Sequence, residues 1–386
     1  GDGAAVEVAR VPDGRPGKPS AEPFAWPKRS VSAAPLQAGR QSIKFAVPAD
    51  LKHGLFAVRV ATREGAAVRL LNRPQVWWAQ GDGGQTASPG GWVRAFGKNL
   101  GWSEKEGFDR AAMRLEGPRS LSLSVESDGN AARAALPTDL PAGTYRLFLH
   151  SGAGGAAGWS EPVTLTIAQK AAWPQTVYNV TNYGALTDGL KDDTTAIQAA
   201  LADAAAHGGG VVFLPRGRYA LSDALAIPSR TVLRGERQDW VALSWPSLPK
   251  PPEALVQGTN TFGVEDLTLY ANRHKHVIAA DLGDKPGAGD VFLRRVRVRA
   301  DAYRGHPEVA DVDALLKESM KWSTGGGDTV RMGGRNIEIT GCDFYGTGRA
   351  LFLSRVRGGL VSGNRFFNGR WGWYCISGSD GLVFED

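Results

Sequence analysis

The last third of the 386-residue chain carries carboxylates, arginines and aromatic residues whose types fit acid–base chemistry. Asp343 and Glu385 could act as the acid and the base, or the nucleophile, of a glycoside hydrolysis. β-Elimination would instead need cations that neutralise a substrate carboxylate and a base that removes the neighbouring proton. The arginines within residues 294–299 could supply the cations, with Tyr345, His306 or an arginine as the base. These two sets give four candidate catalytic residues, and neither set is a diagnostic motif.

A second group of residues has the side chains that a sugar-binding groove needs. Aromatic rings stack on the C–H faces of sugars, while polar groups at the edges bind the hydroxyls. The candidate substrate-binding residues are Arg297, Arg299, Arg365, Phe367, Trp371, Trp373 and Tyr374. We expect the two tryptophans in an exposed turn after a strand. The alternative, that these residues only pack and solubilise an outer sheet face, stays open.

The overall composition excludes several classes of protein. The net charge is only +6 (45 basic minus 39 acidic residues) with no basic run, so no nucleic-acid partner is expected. No apolar run approaches the roughly 20 residues that span a bilayer, so no membrane span is expected. Two cysteines, Cys342 and Cys375, do not make a disulfide scaffold. Hydrophobic residues make up 42% of the chain, which is enough for substantial cores.

The N-terminus and the tryptophan content bear on localisation. The chain begins Gly1-Asp2-Gly3, as it would after removal of a signal peptide or after trimming of a longer N-terminus. It has 12 tryptophans and 3 methionines, a composition typical of secreted carbohydrate-binding proteins. We therefore expect a secreted protein, periplasmic or extracellular and of bacterial type.

Apolar residues recur along the C-terminal half with a period that suits a wound solenoid. The matching positions are Val264, Leu293, Ile339, Val361 and Val383. The intervals between them are 29, 46, 22 and 22 residues, and 22 residues suit one coil of three short strands and three turns. The 46-residue interval predicts an insert at residues 301–327, which includes His306 and could form a lid or carry a catalytic group.

In such a solenoid, equivalent residues on successive coils stack about 4.8 Å apart. The repeat predicts three outward columns: Thr268, Arg297, Asp343 and Arg365; Tyr270, Arg299, Tyr345 and Phe367; and Asp266, Arg295, Gly341, Gly363 and Glu385. Two further residues, Cys342 and Asn364, are expected inside the core. Asp343 and Glu385 would lie two coils apart, a separation marginally compatible with inverting hydrolysis.

Residues 180–235 carry a specific motif. It reads Tyr183-Gly-Ala, Asp188-Gly, Asp192-Asp-Thr-Thr-Ala-Ile-Gln, Gly208-Gly-Gly and Pro215-Arg-Gly-Arg-Tyr. This motif resembles the start of the pectate-lyase superfamily domain found in right-handed parallel β-helix proteins. The resemblance implies a right-handed parallel β-helix over residues 177–386, with a capping α-helix at its N-terminal end. The paired aspartates, His-Gly and Arg-x-Lys of polygalacturonases are absent, as is a calcium-binding aspartate array of the pectate-lyase type.

The region before residue 169 has short alternating runs that predict β-sandwich structure. Segments 47–54 and 136–143 repeat at an offset of 89, and Arg73-Pro74 matches Glu161-Pro162 at an offset of 88. Residues 88–101 and 140–145 resemble the opening and closing parts of the IPT/TIG immunoglobulin-like family. We expect an irregular lead-in at 1–40, a first sandwich module or partial module at 41–78, an IPT/TIG-like sandwich at 79–168 and a linker at 169–176.

The expected fold class is therefore all-β, a parallel β-helix preceded by Ig-like sandwich domains. The expected function is cleavage of an extracellular polysaccharide, by hydrolysis first and by β-elimination of a uronate-containing glycan second. A non-catalytic, adhesin-like glycan-binding β-helix is the third alternative. The basic column favours an acidic polysaccharide as partner. No cofactor and no metal are predicted, with calcium left open. We expect another chain or a further C-terminal segment to cover the end of the helix at Asp386.

Overall fold

The computed structural model describes most of the chain. The described residues are 4–19, 24–39, 41–102, 110–170, 172–246, 248, 250–272, 274–282, 287–301, 313–314, 317, 328–346, 349–367 and 374–386. Two compact units, Gly1–Lys170 and Ala171–Asp386, divide the chain within the range expected for the linker. No helix among the described residues is long and apolar enough to cross a membrane.

The N-terminal unit begins with a four-stranded antiparallel sheet and a hairpin. The strands are β1 (Ala5–Arg10), β2 (Val31–Ala33), β3 (Pro35–Ala38), β4 (Ile43–Phe45), β5 (Phe56–Thr62) and β6 (Gly65–Leu71). The sheet has the order β2-β1-β5-β6, and β3 pairs with β4. The expectation of an irregular lead-in at 1–40 is wrong for β1, because Val6 and Val8 alternate into the core and pair with Val60 and Val58.

The rest of the N-terminal unit is a sandwich of two sheets. Its strands are β7 (Gln75–Gly81), β8 (Thr86–Ala87), β9 (Trp92–Lys98), β10 (Ala112–Glu116), β11 (Leu121–Ser124), β12 (Glu126–Ser127), β13 (Ala131–Ala135), β14 (Gly143–His150) and β15 (Val163–Ile167). The sheet orders are β11-β10-β14-β15-β8 and β12-β13-β9-β7. One apolar core, containing Val93 from one sheet and Leu147 from the other, joins them. Because β7 belongs here, the sandwich begins before residue 79.

The second unit is a curled sheet of parallel strands and includes an α-helix. Its elements are β16 (Val177–Asn179), β17 (Asp188–Asp192), α1 (Thr194–Ala206), β18 (Gly210–Leu214), β19 (Gly217–Ala220), β20 (Leu225–Ala226), β21 (Thr231–Gly235), β22 (Val241–Trp245), β23 (Ala254–Gln257), β24 (Asn260–Asn272), β25 (His276–Ala279), β26 (Gly289–Asp301), β27 (Asp328–Thr340), β28 (Asp343–Tyr345), β29 (Arg349–Ser362), β30 (Arg365–Phe367), β31 (Tyr374–Ser377) and β32 (Asp380–Glu385). Each strand pairs with its equivalent one coil away, which makes a parallel β-helix.

The coils present three faces. Face A contains β16, β18, β21, the first halves of β24 and β26, the second halves of β27 and β29, and β32. Face B contains β17, β19, β22, the second halves of β24 and β26, β28 and β30. Face C contains β20, β23, β25, the first halves of β27 and β29, and β31.

Residues with positive φ produce the bend between faces A and B. Asp266, Arg295, Gly341 and Gly363 have φ values of 59°, 51°, 61° and 61°. They occupy equivalent positions on successive coils, directly after the paired residues of face A. A single left-handed residue turns the strand without ending it. The stacked bends therefore explain how the long strands β24 and β26 each serve both of these faces.

The hydrogen-bonded register confirms most of the predicted repeat. Val264 pairs with Leu293, Leu293 with Ile339, and Ile339 with Val361. The last interval is wrong by one residue, because Val361 pairs with Phe384 instead of Val383. Since side chains alternate along a strand, this shift moves every residue of β32 into a different column.

The solenoid core is continuous and mostly apolar. The apolar face of α1, including Ile197 and Leu201, joins this core together with the first coils. Cys342 is buried as expected, and burial raises the pKa of its thiol to about 12. Asn364 stacks above it, accepting a hydrogen bond from the Cys342 N–H (2.8 Å) and donating one to the Ile339 carbonyl (2.7 Å). The amide therefore satisfies backbone groups at the A–B bend.

Candidate functional site

Face B carries the two columns predicted from the repeat. Arg297 pairs with Asp343, and Asp343 with Arg365. In the neighbouring column Arg299 pairs with Tyr345, and Tyr345 with Phe367. The predicted side-chain columns of this face are therefore confirmed as geometry, whereas the catalytic and binding roles of their residues remain predictions.

Asp343 is held by two arginines. Its Oδ2 accepts from Arg299 Nη2 (2.7 Å) and from Arg297 Nε (3.4 Å), and its Oδ1 accepts from Arg299 Nη1 (3.1 Å). Arg297 also donates to Asp239 Oδ1 (2.7 Å), and this hydrogen bond is the main reason that the pKa of Arg297 is raised. Charge on this part of face B is therefore largely balanced. Both oxygens of Asp343 already accept hydrogen bonds from guanidinium groups, so the carboxylate positions two arginines.

The part of face B formed by β30 has two exposed side chains, Arg365 and Phe367. Arg365 is exposed and has no ion-pair partner among the residues that the structure describes. Phe367 has 46% of its surface exposed, and the guanidinium carbon of Arg299 lies 6.0 Å from the centroid of its ring. An exposed ring beside cations can stack on a sugar while the cations bind its polar edge. Phe367 and Arg365 thus lie on the same exposed part of face B, and their substrate-binding roles remain predictions.

One predicted site residue, Glu385, lies elsewhere than expected. Glu385 pairs with Ser362 on face A, one position before the bend column, so it does not share a column with Gly363. It therefore lies on a different face from Asp343, and the supposed acid–base pair does not flank a common groove. Tyr374 begins the strand β31 and pairs with the buried Leu351 of the preceding coil, and 47% of its surface is exposed.

Tyr374 belongs to an aromatic cluster at the end of the solenoid. Its ring stacks on Phe384 at 4.9 Å and lies 6.1 Å from Phe366. These rings, with Asn364 and Glu385, line a cavity of about 280 Å³. The remaining predicted residues, His306, Trp371 and Trp373, lie outside the described residues, as does nearly all of the predicted insert.

Face C carries a polar cluster that the sequence analysis missed. Two aspartates, Asp281 and Asp328, are only 1% and 2% exposed. Asp328 accepts from Arg349 Nε through Oδ1 and from Arg331 Nη1 through Oδ2 (3.0 Å). Asp281 accepts from Arg355 Nη2 at 3.1 and 3.0 Å, and its backbone carbonyl accepts from Arg331 Nε (2.8 Å). The three arginines and two aspartates thus form one connected network, which we call the face C cluster.

The face C cluster presents positive charge to the surface. Its three guanidinium groups outnumber its two carboxylates, which leaves a net charge of +1. The carboxylates are buried, whereas the arginine side chains keep between 19% and 53% of their surface. Arg331 and Arg349 also lie over the Phe352 ring, each 4.7 Å from its centroid. Buried anions and an aromatic ring therefore hold the cations in fixed positions before any ligand arrives.

A buried histidine supports the cluster from inside. His276 is 5% exposed, and its Nδ1 lies 2.8 Å from the backbone carbonyl of Asp328, so this nitrogen carries the proton that it donates. Burial is the main cause that lowers the pKa of His276. The ring is therefore neutral near pH 7 and fixes the start of β27.

The sequence did contain a signal for this cluster. His276 begins a strand whose next positions are apolar, Asp328 begins a strand with apolar residues at alternate positions, and Asp281 follows a buried strand after one alanine. A charged residue at a buried position needs a hydrogen-bonding or oppositely charged partner, because burial removes its contact with water. Within the described parts of the chain, no three His, Cys, Asp or Glu side chains are grouped so that they could hold a metal ion.

Comparisons with known proteins give one family model and several relatives and solved structures. Residues 177–244 match a family model described as rhamnogalacturonase A/epimerase, pectate lyase-like. Mannuronan C5-epimerase AlgE6 of Azotobacter vinelandii is 35% identical over 172 residues, or 38% of this chain and 19% of the relative. Alginate lyase 7 of the same organism is 30% identical over 169 residues, or 38% of this chain and 20% of the relative. The solved A-module of AlgE6 gives a TM-score of 0.43 at 23% identity, covering 54% of this chain and 55% of that one.

This chain thus spans about a fifth of the length of these two relatives. The matched range 177–244 contains residues 180–235, on which the sequence resemblance rested. The IPT/TIG resemblance of residues 79–168 stays a prediction. The second unit is a parallel β-helix, and its residues 177–244 match the pectate lyase-like family model.

Proposed function

We propose that this chain belongs to an enzyme that acts on a uronate-containing polysaccharide. The proposed first chemical step is removal of the proton beside the uronate carboxylate. The observation that carries the proposal is the face C cluster, where buried aspartates hold three partly exposed arginines. Such fixed cations suit a substrate carboxylate, because they neutralise the charge that builds up when the adjacent proton leaves. The names of the relatives support this choice, since mannuronan and alginate are polymers of uronic acids.

Epimerisation at C5 and β-elimination share this first step. In both reactions a base takes the C5 proton and the carboxylate stabilises the resulting anion. Elimination then expels the group at C4, whereas epimerisation returns a proton to the opposite side of C5. Hydrolysis needs a paired acid and base instead, and the predicted pair of Asp343 and Glu385 is divided between faces B and A. The geometry therefore supports proton abstraction better than the predicted hydrolysis.

The edge between faces B and C is the proposed place of the reaction. Tyr345 ends β28 on face B and Arg349 begins β29 on face C, four positions later, so their Cα atoms are at most about 15 Å apart. The predicted insert leaves face B after Asp301 and re-enters at Asp328 on face C, along the same edge. In this proposal Arg331 and Arg349 bind the substrate carboxylate, and Tyr345 or His306 of the insert is the base.

A product assay tests the proposal directly. Polymannuronate, polygalacturonate and neutral dextran are incubated with the protein in deuterated water. Elimination gives unsaturated uronate absorbance, epimerisation gives deuterium at C5 without chain cleavage, and hydrolysis gives new reducing ends alone. We expect one of the first two products from a polyuronate and none from dextran. New reducing ends without absorbance or deuterium would overturn the proposal.

A variant assigns the reaction to the face C cluster. Arg349→Ala should lower the turnover of a polyuronate on the order of a hundredfold, because one fixed donor to the developing anion is lost. Arg335→Ala is the matched control, since this arginine is exposed and pairs with Asp290 on another face. Equal activity of the two variants, with unchanged unfolding temperatures, would show that the cluster is not the site.

One observation favours a second function, a non-catalytic glycan-binding β-helix. Asp343, Asp281 and Asp328 are all held by arginines, so these carboxylates serve as anchors for cations. Retention of the protein in polyuronate gels without any product in the assay above would select this alternative.

A further inference from the structure

The N-terminal unit contains a groove that the proposed function does not use. Trp77 lies on β7, at the edge of its sheet, where the register shifts between the pairs Val76–Gly97 and Trp78–Phe96. A β-bulge of this kind leaves one residue unpaired and redirects its side chain. Trp77 is 65% exposed, while its neighbour Trp78 stacks on Phe96 at 4.3 Å. The bulge thus presents an indole ring to solvent instead of packing it.

Two cavities meet beside this tryptophan. The first, of about 650 Å³, is lined by Trp77, Phe24, Arg69 and Arg73 among others. The second, of about 570 Å³, is lined by Trp159, Phe148 and Arg146 among others. Both share Phe24, Leu70, Arg73 and Glu161, so they are two parts of one groove. We call it the Trp77 groove.

The charges of the Trp77 groove favour an anionic ligand. Its lining contains three arginines and two glutamates, a net charge of +1. Glu161 is bound by Arg73 at 2.7 Å, and Glu116 by Arg114 at 2.9 Å. The guanidinium of Arg69, among the described residues, bonds only the Val68 carbonyl (2.9 Å). Both acidic groups are therefore neutralised, whereas Arg69 keeps donors for a ligand beside the exposed indole ring.

The repeat in the sequence points to the same place. Arg73-Pro74 and Glu161-Pro162 are the equivalent positions of the two repeated segments. The structure brings them together, with Arg73 donating to Glu161 Oε1 (2.7 Å) and to the Trp159 carbonyl (2.6 Å). The Arg73–Glu161 ion pair therefore lies in the part of the lining that the two cavities share.

We infer that the Trp77 groove binds an acidic glycan chain, with sugar rings stacked on Trp77 and uronate carboxylates on Arg69. An exposed ring beside a guanidinium matches the amphipathic face and the charged edge of a uronate. The choice of an acidic glycan rests on the proposed function, because a binding module gains from recognising the same polymer. The groove itself is distinct from the face C cluster and takes no part in the chemistry.

Affinity electrophoresis of the full chain tests this inference. Polymannuronate, polygalacturonate or dextran is cast into native gels, and the chain carries Arg349→Ala so that face C contributes less to retention. We expect Trp77→Ala and Arg69→Ala each to weaken retention by polyuronate on the order of tenfold, since the first removes the stacked ring and the second removes a guanidinium–carboxylate contact. Leu36→Ala is the matched control, because Leu36 is 66% exposed and lies outside the groove.

The outcomes separate this inference from the proposed function. If polyuronate retains Trp77→Ala as strongly as Leu36→Ala, with both variants folded by circular dichroism, the inference that the Trp77 groove binds the glycan is overturned. Equal retention by dextran and polyuronate overturns the acidic ligand. Product formation by the chain with native Arg349 is measured separately. Glycan binding at the Trp77 groove can therefore be disproved while the proposed enzymatic activity is upheld, and the activity can be disproved while binding at the groove is upheld.

Discussion

Arginine–aspartate contacts recur in the β-helix, but they differ in burial. At the face C cluster the carboxylates are almost fully buried and each meets one or two guanidinium groups. At Asp380 the carboxylate is 56% exposed, and among the described residues it forms an ion pair with Arg357 only. A buried pair that loses one partner leaves an uncompensated charge, whereas an exposed pair is screened by water. Loss of the aspartate charge should therefore destabilise the protein more at the face C cluster than at Asp380.

Asp328→Asn should destabilise the β-helix by roughly 3 kcal/mol, because Arg331 and Arg349 lose the charge that both of them share. Asp380→Asn, the matched change at an exposed pair, should cost less than about 1 kcal/mol. Urea unfolding followed by circular dichroism measures both values. Equal values for the two variants would mean that the cluster does not depend on the Asp328 charge.

At the scale of elements, the bend between faces A and B decides where side chains point. Gly341 has a φ of 61°, and a Cβ added there would meet only Arg295 Cγ, at an ordinary contact distance of 3.6 Å. Space is therefore available, and the backbone conformation alone limits which residues fit. Arg295 and Asp266 adopt the same conformation one and two coils earlier, held by a bidentate ion pair at 2.6 and 2.7 Å.

Gly341→Val should destabilise the protein by about 1–2 kcal/mol, because a β-branched residue is strained at positive φ. Gly341→Asn should cost clearly less, because asparagine tolerates this conformation and the site has room for it. Thermal unfolding of the two variants measures the difference. A valine variant as stable as the asparagine variant would show that the bend relaxes to another conformation.

Much of the β-helix could be predicted from local pattern. The apolar ladder from Val264 to Val361 repeats because each coil must fill the same interior, and this fixed the columns that contain Arg297 and Phe367. Face C could not be predicted in the same way, because its strands are short and the insert before Asp328 breaks the period. The last coil was misread by one residue, since its interval is 23 residues from Val361 to Phe384.

The candidate site was only partly predictable for the same reason. Arg299 and Asp343 are 44 residues apart in sequence and meet only because two coils stack. Arg355 and Asp281 are 74 residues apart, and their contact depends on the length of every turn between them. Residue types along the chain indicate which groups need partners, whereas the register of all three faces decides which partners they find.

At the scale of the whole molecule, two positive surfaces are carried by a chain with a net charge of +6. Each surface alone has a net charge of only +1, with its acidic residues already paired. Attraction of an acidic polymer should therefore combine a long-range contribution from the whole chain with short-range contacts at fixed arginines. Salt concentration separates the long-range contribution from the short-range contacts, because the Debye length falls from about 30 Å at 0.01 M to about 8 Å at 0.15 M.

Retention of the native chain by polymannuronate should fall severalfold between 0.01 and 0.15 M salt, about the range over which the Debye length shortens, and then level off. The remaining retention reflects the fixed arginines and the stacked ring, and it should fall at least about tenfold in the combined variant Trp77→Ala, Arg349→Ala. Dextran, which has no charge, should retain the native chain weakly and independently of salt. Affinity electrophoresis at three salt concentrations measures all of these. If the combined variant is retained as strongly as the native chain at 0.15 M salt, net charge or a third surface dominates binding.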